Sequence, residues 1–161
     1  MQICDIMTRD VRTCALETSL TEVARLMRTG CCGAIPVVDP DGRIAGVVTD
    51  RDISMAIVNS TRKPINIAAC EIMSRHVHAC APDDDVRTAL RTMRDFKVRR
   101  LPVVGPDGRL AGILSMDDII LRALAPDAPD SREIVDSLRE IVLQQEPNEL
   151  LDPAAASAPG G

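Results

Sequence analysis

The sequence predicts an α+β protein: two pseudo-symmetric copies of a strand-helix-strand-strand-helix unit, packed through their sheets, plus a C-terminal helix. Three observations carry that prediction. Shifted by 66 residues, the chain aligns on itself without a gap, and Cys4 to Ile53 falls on Cys70 to Ile119 with 21 identities over 50 positions. Within each copy, helical and strand periodicities follow one another in the same order. The chain has 161 residues and is 45% hydrophobic, enough for one compact core. Solenoids need about three copies or more, so a pair of copies is expected to bury a shared face instead.

Each element has a local reason. Val11 to Ala15 is a short extended piece. Ser19-Leu-Thr-Glu22 has the spacing of a capping box, with Ser19 as N-cap and Glu22 at N3. Leu20, Val23, Ala24 and Met27 then recur at helical spacing, and in the second copy Val86, Ala89, Leu90 and Met93 repeat the stripe after Asp85. AIPVVDPDGRIAGVV is two β-rich runs joined by a Pro-Asp-Gly turn, a hairpin signal. A second helix from about Asp50 to Val58 closes the first copy, mirrored by Asp117 to Leu124. The first copy occupies residues 1–60 and the second 67–125. Residues 61–66 end the polar, proline-containing stretch NSTRKPIN and read as the linker. Residues 126–146 form an acidic C-terminal helical region, with Ile134, Leu138, Ile141 and Val142 on one side of Ser131 to Gln145. Residues 147–161 are rich in Ala, Pro and Gly and read as a disordered tail.

Composition excludes several function classes. Net charge is −5, which disfavours nucleic acid and anionic membranes as partners of the whole molecule. No apolar run approaches the roughly 18 residues of a membrane helix. The opening MQICDIMTRD lacks a basic region followed by an apolar run, so no signal peptide is expected and the expected location is the cytoplasm. Phe96 is the one aromatic residue, so a bound base would lie between aliphatic side chains. The six cysteines form no C-x-x-C pair and read as free thiols.

The stretches GVVTDRD (Gly46 to Asp52) and GILSMDD (Gly112 to Asp118) occupy equivalent places. Each ends a strand and puts a hydroxyl, Thr49 or Ser115, where the next helix begins. Free backbone N–H groups and the positive end of the helix dipole make such a place an anion site. Thr49 can add its hydroxyl, Arg51 can reach a phosphate, and the carboxylates of Asp52 and Asp118 can accept from vicinal ribose hydroxyls. The same spacing also satisfies a capping box, in which hydroxyl and carboxylate serve only the helix end.

The gapless repeat, AIPVV and RLPVV before a DGR turn, DIM and EIM at the copy starts, and G-x-x-T/S-x-x-D in both copies together resemble a pair of CBS domains. The resemblance covers about residues 1–125 and is similar to stand-alone bacterial CBS-pair proteins. It implies a flat module with two clefts between the sheets. Such modules bind AMP, ADP, ATP, S-adenosylmethionine or NAD-type ligands, commonly form disc-shaped homodimers, and regulate a partner protein. Carried over residue by residue, it implies that Thr49 and Asp52, with Ser115 and Asp118, hold phosphate and ribose. Val11 and Thr13 match the adenine-lining segment of copy one, and Val77 and Ala79 that of copy two. Ile35-Pro36 and Leu101-Pro102 would form apolar walls. Copy two departs from the pattern, because Arg51 becomes Asp117, and Arg99 and Arg100 would have to compensate. The two sites should therefore differ.

Other constellations compete less well. His76, His78 and Cys80 alternate on one strand face and form a weak metal candidate, lacking a fourth ligand. Cys31-Cys32 is a candidate redox pair. Arg87, Arg91 and Arg94 share one helix face, open to solvent, to nucleic acid, or to the acidic stretch from Asp127 to Asp152, whose local charge is −6. No G-x-S-x-G, H-E-x-x-H or P-loop occurs, so no catalytic activity and no catalytic cofactor are expected. A protein-interaction module whose T-x-x-D motifs only cap helices is the alternative to a ligand sensor.

Overall fold

The structure, a computed structural model, describes residues 1–143. The expected disordered tail at 147–161 lies outside the described residues, as do the last residues of the C-terminal helical region. Copy one contains β1 (Cys14–Ala15), α1 (Leu20–Gly30), β2 (Ala34–Val38), β3 (Ile44–Thr49) and α2 (Asp50–Asn59). Copy two contains α3 (Ala69–Ile72), α4 (Val86–Phe96), β4 (Arg100–Val104), β5 (Leu110–Ser115) and α5 (Met116–Leu121), and α6 (Ser131–Leu143) follows. In the first sheet β1 is parallel to β2 and β2 antiparallel to β3; β4 and β5 form the second hairpin. Both hairpins share one register and one irregularity, between Val37 and Val38 and between Val103 and Val104. Gly42 and Gly108 take the left-handed turn position at φ +79°, which only glycine adopts without strain.

The first strand is shorter than expected. It spans only Cys14–Ala15, and its copy-two equivalent is a single bridge from Cys80 to Val103. The cause is a crossing of the chain. Thr8, ahead of copy one, pairs with Ile113 in β5, and Ser74, ahead of copy two, pairs with Val47 in β3. Each leader segment therefore adds to the other copy's sheet before its own chain reaches home. Ile3 and Met7 lie in the core around β4 and β5, while Ala69 and Met73 lie in the core around β2 and β3. Their four-residue spacing comes from one helical turn, a 3₁₀ turn at Ile3–Asp5 and the short α3.

Glycine permits the crossing. A Cβ on Gly46 would meet Met73 Sδ at 2.6 Å and the Ser74 carbonyl at 2.8 Å; one on Gly112 would meet the Thr8 carbonyl at 2.8 Å and Met7 Sδ at 2.9 Å. The backbones approach too closely for any side chain.

The helices follow the pattern with local differences. Ser19 caps α1, accepting from the Glu22 amide at 3.4 Å, but the Glu22 carboxylate turns to Arg25 and leaves the box half formed. Helix α5 stops at Leu121, three residues before the expected end at Leu124. Leu121 and Leu124 are exposed, so no packing holds a further turn. Helix α6 packs on α4 and α5, with Ile134 and Ile141 in the copy-two core. Ser137, buried at that contact, donates to the Glu133 carbonyl at 2.8 Å.

Candidate functional site

Two clefts open between the copies, one of about 470 Å³ and one of about 320 Å³. Both fall in the size range of small-molecule sites. The larger is lined by Val47, Thr49, Asp50 and Arg51 of copy one, with Gly33 and Ala34 at the start of β2. Its other wall comes from copy two: Ser74, His76, Val77 and His78 of the crossing leader, then Lys97, Val98, Arg99, Arg100 and Pro102. The smaller inverts this arrangement. Ile113, Ser115, Asp117, Asp118 and Arg100 of copy two face Thr8, Asp10, Val11 and Arg12 of the leader, with Gly30, Cys31, Cys32 and Ala34. Most lining positions of one cleft are those of the other shifted by 66.

The hydroxyl-carboxylate pairs form complete capping boxes. Asp52 Oδ2 accepts from the Thr49 amide at 2.8 Å and from its hydroxyl at 2.7 Å, while Thr49 Oγ1 accepts from the Asp52 amide at 3.2 Å. Ser115 and Asp118 repeat this at 2.8, 2.6 and 3.1 Å. Capping uses one carboxylate oxygen of each aspartate; among the described residues nothing donates to Oδ1 of either. Each hydroxyl proton can swing from the aspartate to another acceptor while the backbone N–H keeps holding Oδ2. Cap and ligand roles are therefore compatible.

The crossing decides which expected residues meet. Val77, Thr49, Arg51, Arg100 and Pro102 share the larger cleft, and Val11, Ser115, Asp118 and Arg100 the smaller. Val11 thus lies beside Ser115 rather than Thr49, and Val77 beside Thr49 rather than Ser115. Asp52 sits just behind Thr49, outside the lining of the larger cleft. Ile35 and Leu101 are fully buried in the two cores, and Pro36, on the opposite face of β2, is buried as well. Gly46 and Gly112 lie under the crossing leaders, and Thr13 and Ala79 fall outside both linings. Thr8, Ser74, Asp10, Arg12 and Lys97 line the clefts although their types carry no local signal. The structural reason is their place on the crossing leaders or at a helix end.

Cys31 and Lys97, the equivalent C-caps of α1 and α4, hold left-handed backbones at φ +48° and +56°. Such a conformation costs a non-glycine residue about 1–2 kcal/mol. Each lines one cleft. The His78 ring stacks on Phe96, centroids 3.5 Å apart and 14° from parallel, on the rim of the larger cleft.

The weak metal candidate is not gathered. Cys80 is buried in the copy-two core, its thiol directed at the Pro102 carbonyl at 3.7 Å, while His76 and His78 face the larger cleft. Among the described residues no three His, Cys, Asp or Glu side chains converge as a metal site. The arginine face of α4 meets α6: Arg87 lies 3.7 Å from Glu133, Arg94 3.6 Å and Lys97 4.0 Å from Glu140. Arg87 also donates to the Ala128 carbonyl at 3.1 Å. No helix among the described residues is long and apolar enough to cross a membrane.

The comparisons with known proteins agree with this architecture. The model of the CBS domain matches residues 3–59 and 69–125. The chain is 33% identical over 116 residues to the uncharacterized protein MK0525 of Methanopyrus kandleri and spans 59% of its length. It is 37% identical to homoserine O-acetyltransferase of Methanohalophilus mahii but spans only 23% of that protein. With the CBS domain-containing protein YhcV of Bacillus subtilis it shares 31% identity over 79% of this chain and 89% of YhcV. Among solved structures, the CBS domain pair of MJ0100, in complex with 5′-methylthioadenosine and S-adenosyl-L-methionine, superposes with a TM-score of 0.67 at 26% identity, covering 75% of this chain and 94% of that one. CBSX2 in complex with AMP gives 0.68 at 27%, covering 76% and 96%. Two family matches at the 66-residue spacing, and a relative covered almost end to end, show that this chain belongs to the CBS-domain family as a tandem CBS pair.

Proposed function

We propose that this CBS pair is a cytoplasmic regulatory module that senses an adenosyl compound and passes occupancy to a partner protein. The carrying observation is that each cleft joins the helix-start hydroxyl of one copy, Thr49 or Ser115, to the crossing leader of the other. A ligand there touches both halves of the molecule. The free Oδ1 of Asp118 in the smaller cleft, and that of Asp52 just behind Thr49, suits a ribose diol, and Val11 or Val77 gives an apolar surface for a base. The adenosyl ligands of MJ0100 and CBSX2 support that class.

Lys97 supplies the outward connection. It lines the larger cleft and lies 4.0 Å from Glu140 of α6. An anion that draws Lys97 inward weakens its hold on α6, and the resulting shift is limited by the ligand's differential affinity for the two arrangements. A second copy of the chain is the expected cover for the exposed apolar positions Met55 and Val58 on α2 and Leu121 and Leu124 on and after α5. These pairs are related by the repeat, which suits a self-complementary interface.

The test is titration calorimetry against AMP, ADP, ATP, S-adenosylmethionine and NADH, with Asp52→Ala and Asp118→Ala in parallel. Saturable binding that one substitution weakens at least tenfold, in a variant still folded, is expected. If the folded wild type binds none of the five, the motifs are caps only and the module is an interaction domain, a reading that the complete capping boxes also support.

A further inference from the structure

We propose that the two clefts sort adenosyl compounds by charge. The Thr49 cleft takes a nucleoside phosphate; the Ser115 cleft takes an adenosyl compound without phosphate, neutral or cationic at the 5′ side. The inference rests on the adenosyl reading above and deepens it.

The clefts share a plan but not a charge. The larger places Arg51, Lys97, Arg99 and Arg100 against a single carboxylate, Asp50. The smaller places Asp10, Asp117 and Asp118 against Arg12 and Arg100. The decisive exchange is at the helix start, where Arg51 of α2 corresponds to Asp117 of α5. Nearby, Lys97 corresponds to Cys31 and Arg99 to Gly33. Helix α2 is ten residues long and carries Arg51 in its first turn, between Asp50 and Asp52. Helix α5 is six residues long and, like α2, carries two aspartates in its first turn, Asp117 and Asp118, but no arginine beside them. A phosphate at that place meets two carboxylates with no cation on the same helix turn to offset them, in a partly enclosed site where like charges repel more strongly than in water. A sulfonium or an uncharged thioether meets no such opposition. The smaller volume, 320 against 470 Å³, also suits a ligand without a phosphate chain. Arg100 borders both clefts, so the difference in charge comes from the other lining residues.

Calorimetry of the full chain with ATP, 5′-methylthioadenosine and S-adenosylmethionine tests the sorting, in wild type and in Arg51→Asp and Asp117→Arg. Both charge variants alter exposed side chains, and far-UV circular dichroism checks their fold. Expected results are one ATP per chain, bound without competition from 5′-methylthioadenosine or S-adenosylmethionine. Arg51→Asp should weaken ATP at least tenfold and leave S-adenosylmethionine within about twofold. Asp117→Arg should add a second ATP site and weaken S-adenosylmethionine. Direct competition between ATP and S-adenosylmethionine, or two equal ATP sites in wild type, would overturn the sorting while leaving the adenosyl reading intact. An unchanged ATP stoichiometry in Asp117→Arg would overturn it too. If none of the three binds, the sorting is overturned, and the adenosyl reading falls with it when AMP, ADP and NADH also fail to bind.

Discussion

Replacing Gly46 by alanine tests the crossing of the leaders, on which both clefts depend. The new methyl would sit 2.6 Å from Met73 Sδ, 2.9 Å from Met73 Cγ and 2.8 Å from the Ser74 carbonyl oxygen. The methionine tip can move, although Met73 is only 7% exposed and fills the copy-one core. The carbonyl cannot move alone, because Val47 and Ser74 exchange two backbone hydrogen bonds at 3.0 and 2.9 Å. Relief therefore lifts the leader from β3. Overpacking costs about 1–3 kcal/mol, and weakening two hydrogen bonds adds about 1 kcal/mol. Loss of glycine's excess freedom in the unfolded chain works the other way by about 0.4–1 kcal/mol. The net expectation is a loss of about 1–3.5 kcal/mol, or about 2–14 °C in Tm for a chain of this size. Urea unfolding followed by far-UV circular dichroism measures it, since the chain has no Trp or Tyr. Because Ser74, His76 and Val77 ride on the same leader, ligand affinity in the Thr49 cleft should fall too, whereas Gly112→Ala should act on the Ser115 cleft through Thr8. A Gly46→Ala protein as stable as wild type, or more stable, would refute the close approach and with it the crossing.

Three further predictions follow from particular contacts. Asp52→Ala removes the acceptor of two short hydrogen bonds at the start of α2 and should cost about 0.5–2 kcal/mol in denaturant titration with no ligand present; a negligible change would mean that the box is not formed in solution. Glu140→Lys sets a lysine against Arg94 and Lys97, all partly exposed, and should cost about 0.5–1 kcal/mol at low salt, shrinking at about 1 M. A cost that salt leaves unchanged would point away from charge as the link between α4 and α6. Burial pushes the Cys80 thiol up to about 12, with Asp84 adding to the effect, and the Cys14 thiol to about 11, against a hydrogen bond from Thr18. The folded chain then keeps protons that the unfolded chain releases, so the stability from these thiols is complete below about pH 9 and declines as pH rises toward 11 and 12. Each thiol steepens that decline by about 1.4 kcal/mol per pH unit. Cys80→Ala should flatten it between pH 9 and 11, and an unchanged slope would contradict the assignment.

The repeat, the stripes on α1 and α4 and the two DGR hairpins were legible because each is a local pattern with a local cause. The second helices began where the hydroxyls of Thr49 and Ser115 placed them. The crossing was not legible. Ile3 with Met7 and Ala69 with Met73 are apolar pairs that either sheet can accept, and Gly46 and Gly112 offer the same groove in both copies. Nothing local says which copy's leader fills which groove. Reading each site within its own copy therefore set Val11 beside Thr49, where the fold sets Val77. Ile35 and Leu101 looked like cleft walls because the sequence shows an apolar strand residue but not the face it turns to. The arginine face of α4 left three partners open, and the fold gave Arg87 and Arg94 to Glu133 and Glu140. Lys97 reads in the sequence only as part of the basic stretch after the arginine face, and the fold places it, as the left-handed cap of α4, in the larger cleft.

The most direct test of the central claim, that each ligand site is built across the two copies, is methyl nuclear magnetic resonance of the valine-labelled protein titrated with ATP. A site built across both copies makes Val47 of copy one and Val77 and Val98 of copy two shift together with one saturation curve, while the buried Val23 and Val86 stay near their free positions. Shifts confined to the valines of one copy, or to Val11 together with Val47, would contradict it.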